Sequence, residues 1–171
     1  VSGMTYTLGS ASSSALKFTS TSGTTLITTA GKNVGNVTFD GVGGYFQLQD
    51  AMTNSGIATT ITLTNGTFDA NGFNVTMGRF ASTNSNTRTI KMGSGTWTTS
   101  GSANFWNLTT TTGLTFDAGT STLIASSAGN FSGGSLTYYI VTFTGNGITI
   151  LGNNVFNTLN VNTAGLTTGL K

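Results

Sequence analysis

The sequence predicts an all-β protein with the fold of a right-handed parallel β-helix, or β-solenoid, with about 18–29 residues per coil. Three observations predict this fold: a recurring tripeptide, apolar side chains at alternate positions, and turn residues between short strands. Units of this length are too small to bury an apolar face alone, so successive units have to stack on one another. We expect three strands per coil.

The recurring tripeptide is Thr-Phe-Asp, found at 38–40, 67–69 and 115–117, with a Thr-Phe-Thr variant at 142–144. Successive copies start 29, 48 and 27 residues apart. If the middle gap covers two coils, the missing phrase falls near Thr89-Ile90-Lys91 and the mean coil has 26 residues. Equivalent positions then lie about 4.8 Å apart along the axis. The side chains expected to stack as an internal ladder are Phe39, Phe68, Phe116 and Phe143.

Alternation and turn residues mark the strands. Apolar and polar residues alternate cleanly through Thr60-Ile61-Thr62-Leu63-Thr64, as in a strand with one buried face. Asn65-Gly66, Asn71-Gly72 and Asn146-Gly147 supply residues that tolerate positive φ. Stacked Thr and Asn side chains are expected to form hydrogen-bonded ladders. We expect almost no helix, apart from a short cap near 47–53.

The organisation predicted along the chain has two parts. Residues 1–30 match the phrase poorly and are interpreted as an atypical cap or an oligomer contact. Residues 31–171 are interpreted as solenoid repeats of a longer chain. The alternative for short strands with turns is an antiparallel sandwich, but a sandwich gives no reason for a phrase to repeat.

Composition excludes several classes of function. Only 6% of residues are charged and the net charge is +2, with the basic residues scattered, so nucleic-acid binding is not expected. No run approaches 18 apolar residues, so membrane insertion is not expected either. Disorder is the other interpretation of a chain rich in Ser, Thr, Gly and Asn. The 11 Phe residues at strand positions argue against it.

Catalytic residues are not apparent. The chain has no His and no Cys, which removes the usual nucleophilic triads and zinc sites. Asp40, Asp69 and Asp117 share one position of the phrase and could form a carboxylate row for sugar hydrolysis or calcium. We favour a turn role, in which each Asp accepts a backbone N–H. The sequence therefore predicts no enzyme, no cofactor and no metal site.

Aromatic residues are the candidate binding site. Two adjacent aromatic residues in a strand cannot both point inward, so one of Phe105 and Trp106 is expected to face outward. The same holds for Tyr138 and Tyr139. Outward rings could bind glycans or contact a subunit or loop. The candidate contact residues are Trp97, Trp106, Tyr138 and Tyr139.

Threonine pairs raise one further alternative. Thr60-Ile61-Thr62, Thr62-Leu63-Thr64 and Thr87-Arg88-Thr89 could belong to a flat threonine array of the kind found on ice-binding solenoids. Such an array needs the pair at one fixed position of every coil, whereas these pairs wander along the sequence. The simpler interpretation is that Thr favours strands.

The region from about 60 to 168 resembles repeat segments of large structural and surface proteins of phages and environmental bacteria. The phrases that carry the resemblance are 66–76 (GTFDANGFNVT), 113–122 (GLTFDAGTST) and 157–161 (NTLNV). This resemblance implies a fibre-like or minor structural part of a virion, or a cell-surface protein, and brings no catalytic residues.

The predicted function is therefore structural. We expect a non-enzymatic fibre, spike or decoration element of a virion that mediates assembly or surface display. Its expected partners are identical subunits or other structural proteins, and its expected location is the virion or the cell surface. The alternative is a bacterial extracellular adhesin that binds glycans, and an ice-binding solenoid ranks below both.

Overall fold

The computed structural model describes residues 15–165 and the backbone of Thr167–Thr168. These residues form a β-solenoid of about 7 turns, in which parallel strands stack about 22 residues apart. The described residues contain no helix. The predicted fold class is confirmed. The strands, in chain order, are β1 (Ala15–Phe18), β2 (Thr24–Ile27), β3 (Asn36–Leu48), β4 (Met52–Asn54), β5 (Thr60–Asp69), β6 (Val75–Met77), β7 (Arg79–Ala81), β8 (Arg88–Lys91), β9 (Thr96–Thr99), β10 (Asn104–Asn107), β11 (Leu114–Asp117), β12 (Thr122–Ala125), β13 (Gly129–Ser132), β14 (Thr137–Phe143), β15 (Ile148–Leu151), β16 (Val155–Val161) and β17 (Thr167–Thr168).

Three strand stacks run along the solenoid. The first stack follows β1, β3, β5, β7, β10, β13, β15 and β17. The second consists of β2, the second half of β3, the second half of β5, β8 and β11. The third is a separate six-stranded sheet in the order β4-β6-β9-β12-β14-β16. Three strands per coil is therefore correct for the coils that contain β3 to β12.

The recurring Thr-Phe-Asp phrase does not occupy one column, which corrects the expected phenylalanine ladder. Phe39 lies in the first stack and pairs with Leu63. Phe68 lies in the second stack, and Phe143 belongs to the six-stranded sheet. Coil length varies, so the same phrase falls on three different faces.

The copy of the phrase expected near Thr89-Ile90-Lys91 lies where the spacing predicts. Ile90 pairs with Phe68 on one side and with Phe116 on the other. Phe46 pairs with Phe68 and extends the column by one coil. The internal column of the second stack is therefore Phe46, Phe68, Ile90 and Phe116. Phe39 joins it from the neighbouring stack, since its ring stacks on Phe68 with centroids 4.5 Å apart.

Apolar side chains of all three stacks fill the interior. Trp97 lies near the centre and packs edge-on against Phe68, Phe80 and Trp106 at centroid distances of 5.7, 5.8 and 5.9 Å. Its indole N–H donates to the Met92 carbonyl at 3.1 Å, so its polar atom is satisfied within the core. Burial of such large rings supplies most of the favourable free energy of folding.

The corner between the first and second stacks requires glycine. Gly66 bends β5 there with a φ of 80°, in the left-handed region. A Cβ at this position would lie 2.5 Å from the Gly41 carbonyl oxygen and 2.6 Å from that of Gly44. The Asn65-Gly66 turn predicted from the sequence is thus a tight corner inside a strand.

One local prediction is corrected by the strand assignment. The short helical cap expected near 47–53 is absent, because those residues end β3 and begin β4. Within residues 1–30, β1 and β2 pair in parallel with β3, and the role of this segment as a cap or an oligomer contact stays a prediction. Residues 1–14 of the expected N-terminal cap lie outside the described residues.

Candidate functional site

Three of the four candidate contact residues lie in the core. Trp97 and Trp106 have no exposed surface and Tyr138 is 1% exposed. The Trp106 indole N–H donates to the Tyr138 hydroxyl at 2.9 Å, and that hydroxyl donates to the Gly133 carbonyl at 2.9 Å. Burial raises the pKa of Tyr138, so the hydroxyl stays protonated and can donate. These three rings offer no face to a glycan or a subunit, which corrects their selection as contacts.

A β-bulge explains why the alternation rule was wrong at Phe105 and Trp106. Both side chains are buried. Asn104 pairs with Asn130 and Trp106 with Phe131, so Phe105 is an extra residue in β10. An unpaired extra residue restores the inward direction for the residue that follows it. The rule does hold for the tyrosine pair, since Tyr139 is 38% exposed while Tyr138 is buried.

A polar column crosses the outer face of the second stack. It contains Gln47, Asp69, Lys91 and Asp117, which occupy equivalent positions of four successive coils. Asp69 accepts hydrogen bonds from the Tyr45 hydroxyl at 2.5 Å and from the Gln47 amide at 3.2 Å. The Lys91 ammonium lies 5.4 Å from the centre of the Tyr45 ring, within cation–π range.

The column does not form the carboxylate row that was the alternative to a turn role. Asp40 lies in the first stack, where it forms an ion pair with Lys17 at 2.7 Å and accepts a hydrogen bond from Asn65 at 2.7 Å. Lys91 separates Asp69 from Asp117. Both of these carboxylates accept a backbone N–H two residues ahead, at 2.7 and 2.9 Å, which confirms the turn role.

Hydrogen bonding keeps Asp69 ionised. Burial by itself raises the pKa of this carboxyl, but the Tyr45 hydroxyl, the Asn71 N–H, Gln47 and Lys91 together hold its pKa below the ordinary value. The hydrogen bond to Asp69 raises the pKa of Tyr45 in turn. A carboxyl with this setting is an acceptor at neutral pH and not a proton donor. The described residues contain no group of three or more potential metal-ligating side chains.

Arg88 is a buried cation that holds two loops together. Its side chain is 1% exposed, and it donates to the Ser82 hydroxyl at 2.5 Å and to the Ser82 carbonyl at 3.2 Å. Its other donors reach the carbonyls of Asn86, Thr110 and Thr112. The five N–H donors of the guanidinium thus have five acceptors. Desolvation lowers the pKa of Arg88. No sequence motif marks this structural role, because the acceptors are backbone carbonyls and one serine hydroxyl.

The outer face of the six-stranded sheet carries a regular threonine array that sequence reasoning missed. One row contains Thr53, Thr76, Thr98, Ile124, Thr142 and Asn160. The second row, two residues earlier in each strand, contains Thr96, Thr122, Ile140 and Thr158. The threonine pairs selected from the sequence lie in the other stacks. A sequence signal for this array does exist. An apolar residue that faces the core is flanked by two uncharged residues that face outward, as in Thr96-Trp97-Thr98, and this triplet recurs at intervals that differ from coil to coil.

The last described coil ends in an apolar strand edge. β16 pairs with β14, and no second strand pairs with it among the described residues. Leu159 and Val161 are 40% and 43% exposed. They stack on Val141 and Phe143, which are fully buried. These side chains therefore point along the core of the solenoid and are exposed at the end of the described coils.

Comparison with protein-family models, curated proteins and solved structures found no match to this chain. Among the residues that the structure describes, no helix is long and apolar enough to span a bilayer.

Proposed function

We propose that the protein is a structural element of a virion or a cell surface, a rigid β-solenoid rod that assembles through its last described coil. The observation that carries this proposal is the open apolar edge of β16. An unpaired strand edge is a template for pairing with another strand, and natural proteins usually protect such edges with charge, proline or a covering segment. Within the described residues this edge has none of these.

For the 171-residue chain, we infer that the occupant of the edge is a second copy. Residues 118–165, which include the described part of this end, contain no charged residue, so the described surfaces of two copies bring no like charges together. The opposite described end carries Lys17, whose side chain is 56% exposed and whose desolvation would oppose head-to-tail contact. Pairing of two identical edges around a twofold axis buries Leu159 and Val161 of both copies and closes the assembly at a dimer.

The test measures the mass of the purified 171-residue chain in solution by light scattering across a concentration series. We expect a dimer for the wild type. Leu159→Lys places a charge in the paired edge, and we expect it to be a monomer at concentrations where the wild type is dimeric. The matched control is Ile57→Lys, because Ile57 is 67% exposed in a turn far from β16 in the chain. We expect this control to remain dimeric.

Other outcomes overturn the proposed contact. A wild type that stays monomeric at high concentration would show that the edge has no copy as its partner. Open polymers that lengthen with concentration would indicate head-to-tail contact instead of a twofold dimer. Equal dissociation of both lysine variants would mean that association does not depend on β16.

The wider role is tested by cryo-electron microscopy of the native assembly that contains the chain. Solenoids locked into a capsid, tail or filament lattice support the structural role. A free rod that projects a surface bearing Tyr139 or Tyr45 would favour the glycan-binding adhesin. The observation behind this second candidate is the polar column, where Tyr45 lies beside Gln47, Asp69 and Lys91. A hydroxyl, an amide, a carboxylate and a ring together suit sugar hydroxyls and sugar faces.

A further inference from the structure

We propose that the threonine array on the six-stranded sheet binds the surface of ice. This activity is independent of the assembly proposed for β16 and uses a different surface. The array consists of the two outward rows defined above, on strands β4, β6, β9, β12, β14 and β16. The register of the array is regular, its strands carry no charge, and its side chains and spacing suit an ordered layer of water.

Register is continuous through the whole sheet. Thr53 pairs with Thr76, and Thr76 pairs with Thr98. The same row continues through Ile124 and Thr142 without a register shift. The strand pairs of this sheet contain no bulge, so the objection drawn from the sequence, that threonine pairs wander between coils, does not hold for this face. The coils differ in length, and the additional residues lie in the other two stacks and their connecting turns.

Charge is absent from the entire sheet. None of its six strands contains Asp, Glu, Lys or Arg. The second stack presents Asp69 and Lys91 on its outer face, and the first stack has register shifts near Asp40 and at Phe105. A charged side chain orders water around itself in a pattern set by the charge, which conflicts with an extended lattice. The six-stranded sheet is thus the one stack whose strands are both regular and uncharged within the described residues.

Threonine combines the two groups that such a surface needs. Its hydroxyl donates and accepts hydrogen bonds, and its methyl restricts the orientation of the water beside it. Thr76, Thr98 and Thr142 are half-buried, so their neighbours restrict these side chains and leave part of each exposed to water. Ile124 and Ile140 interrupt the hydroxyls but keep a methyl at the same place in the row.

Spacing gives the array the form of a two-dimensional grid. Neighbouring strands lie about 4.7–4.9 Å apart, and alternate residues along a strand lie about 6.5–6.8 Å apart. Planes of ice present oxygen atoms that repeat at distances of this size in two directions. Water held over the array can therefore match an ice plane over several repeats at once, and the many weak contacts add up along a rigid face.

The test measures thermal hysteresis and inhibition of ice recrystallisation by the purified 171-residue chain. We expect the wild type to be active in both assays. Thr98→Lys places a long charged side chain in the middle of the grid, and we expect activity to be lost. The matched control is Thr89→Lys, because Thr89 is also a half-buried, outward strand residue, but in the second stack. We expect it to retain wild-type activity, with both variants folded by circular dichroism.

The proposal is overturned if the folded wild type shows neither activity. It is also overturned if Thr98→Lys and Thr89→Lys lose activity equally, since the array would then not be the binding surface. A third outcome would also contradict the proposal: the wild type has no ice activity and forms a dimer, and Thr98→Lys makes it a monomer. The face would then be a contact between copies of this chain.

Discussion

Replacing Arg88 should destabilise the fold more than replacing any other charged residue in the described chain. In Arg88→Met, the Ser82 carbonyl loses its donor in the buried interior, whereas the Ser82 hydroxyl still donates to the Leu63 carbonyl at 2.9 Å. One unsatisfied buried group costs about 1–3 kcal/mol. The three loop carbonyls are partly buried and can recover water, so they add less.

The assay is thermal unfolding followed by circular dichroism. At about 2–4 °C per kcal/mol for a chain of this size, Arg88→Met should lower Tm by about 2 °C or more. The matched control is Arg79→Met, because the Nε of Arg79 is buried without a hydrogen-bond partner. Removing that donor should change the free energy of unfolding by about 1 kcal/mol or less. Equal losses in the two variants would refute the argument that the acceptors of Arg88 decide the cost.

Two further predictions concern a corner and a carboxylate. Gly66→Ala should destabilise the protein more than Gly23→Ala. Both glycines have positive φ, which costs about 1–2 kcal/mol for an L residue. Only at Gly66 would the added Cβ meet two carbonyl oxygens. Denaturant unfolding measures the difference, and equal costs would contradict the reported corner geometry. The pKa of Asp69 is lower in the folded state than in the unfolded state. The stability that this carboxylate contributes to the fold is therefore fully present above about pH 4, the ordinary pKa of Asp, and is lost as the pH falls through the lower pKa of the folded state. Asp69→Asn should therefore show a smaller loss of Tm between pH 7 and pH 3 than the wild type, and an unchanged loss would exclude this linkage.

The sequence by itself determined the fold class. Alternation fixes which side chains face inward, and turn residues separate the strands, because a strand has a period of two and a corner needs positive φ. The phrase spacing was sufficient to place Ile90 between Phe68 and Phe116, as the pairing confirms. The turn role of Asp69 and Asp117 was also predicted, because a short carboxylate after a strand can accept a local N–H.

The tertiary structure decided which face each segment occupies. A repeated phrase specifies inward and outward directions but not the length of the coil between copies, so Phe39, Phe68 and Phe143 fall in three stacks. A single extra residue at Phe105 reverses the direction of Trp106 and places it in the core. The threonine array, the hydrogen bonds from Arg88 to the carbonyls of Thr110 and Thr112, and the edge of β16 all depend on contacts between residues far apart in the chain. Local patterns carry no information on such contacts, because they arise only when coils of unequal length are brought into register.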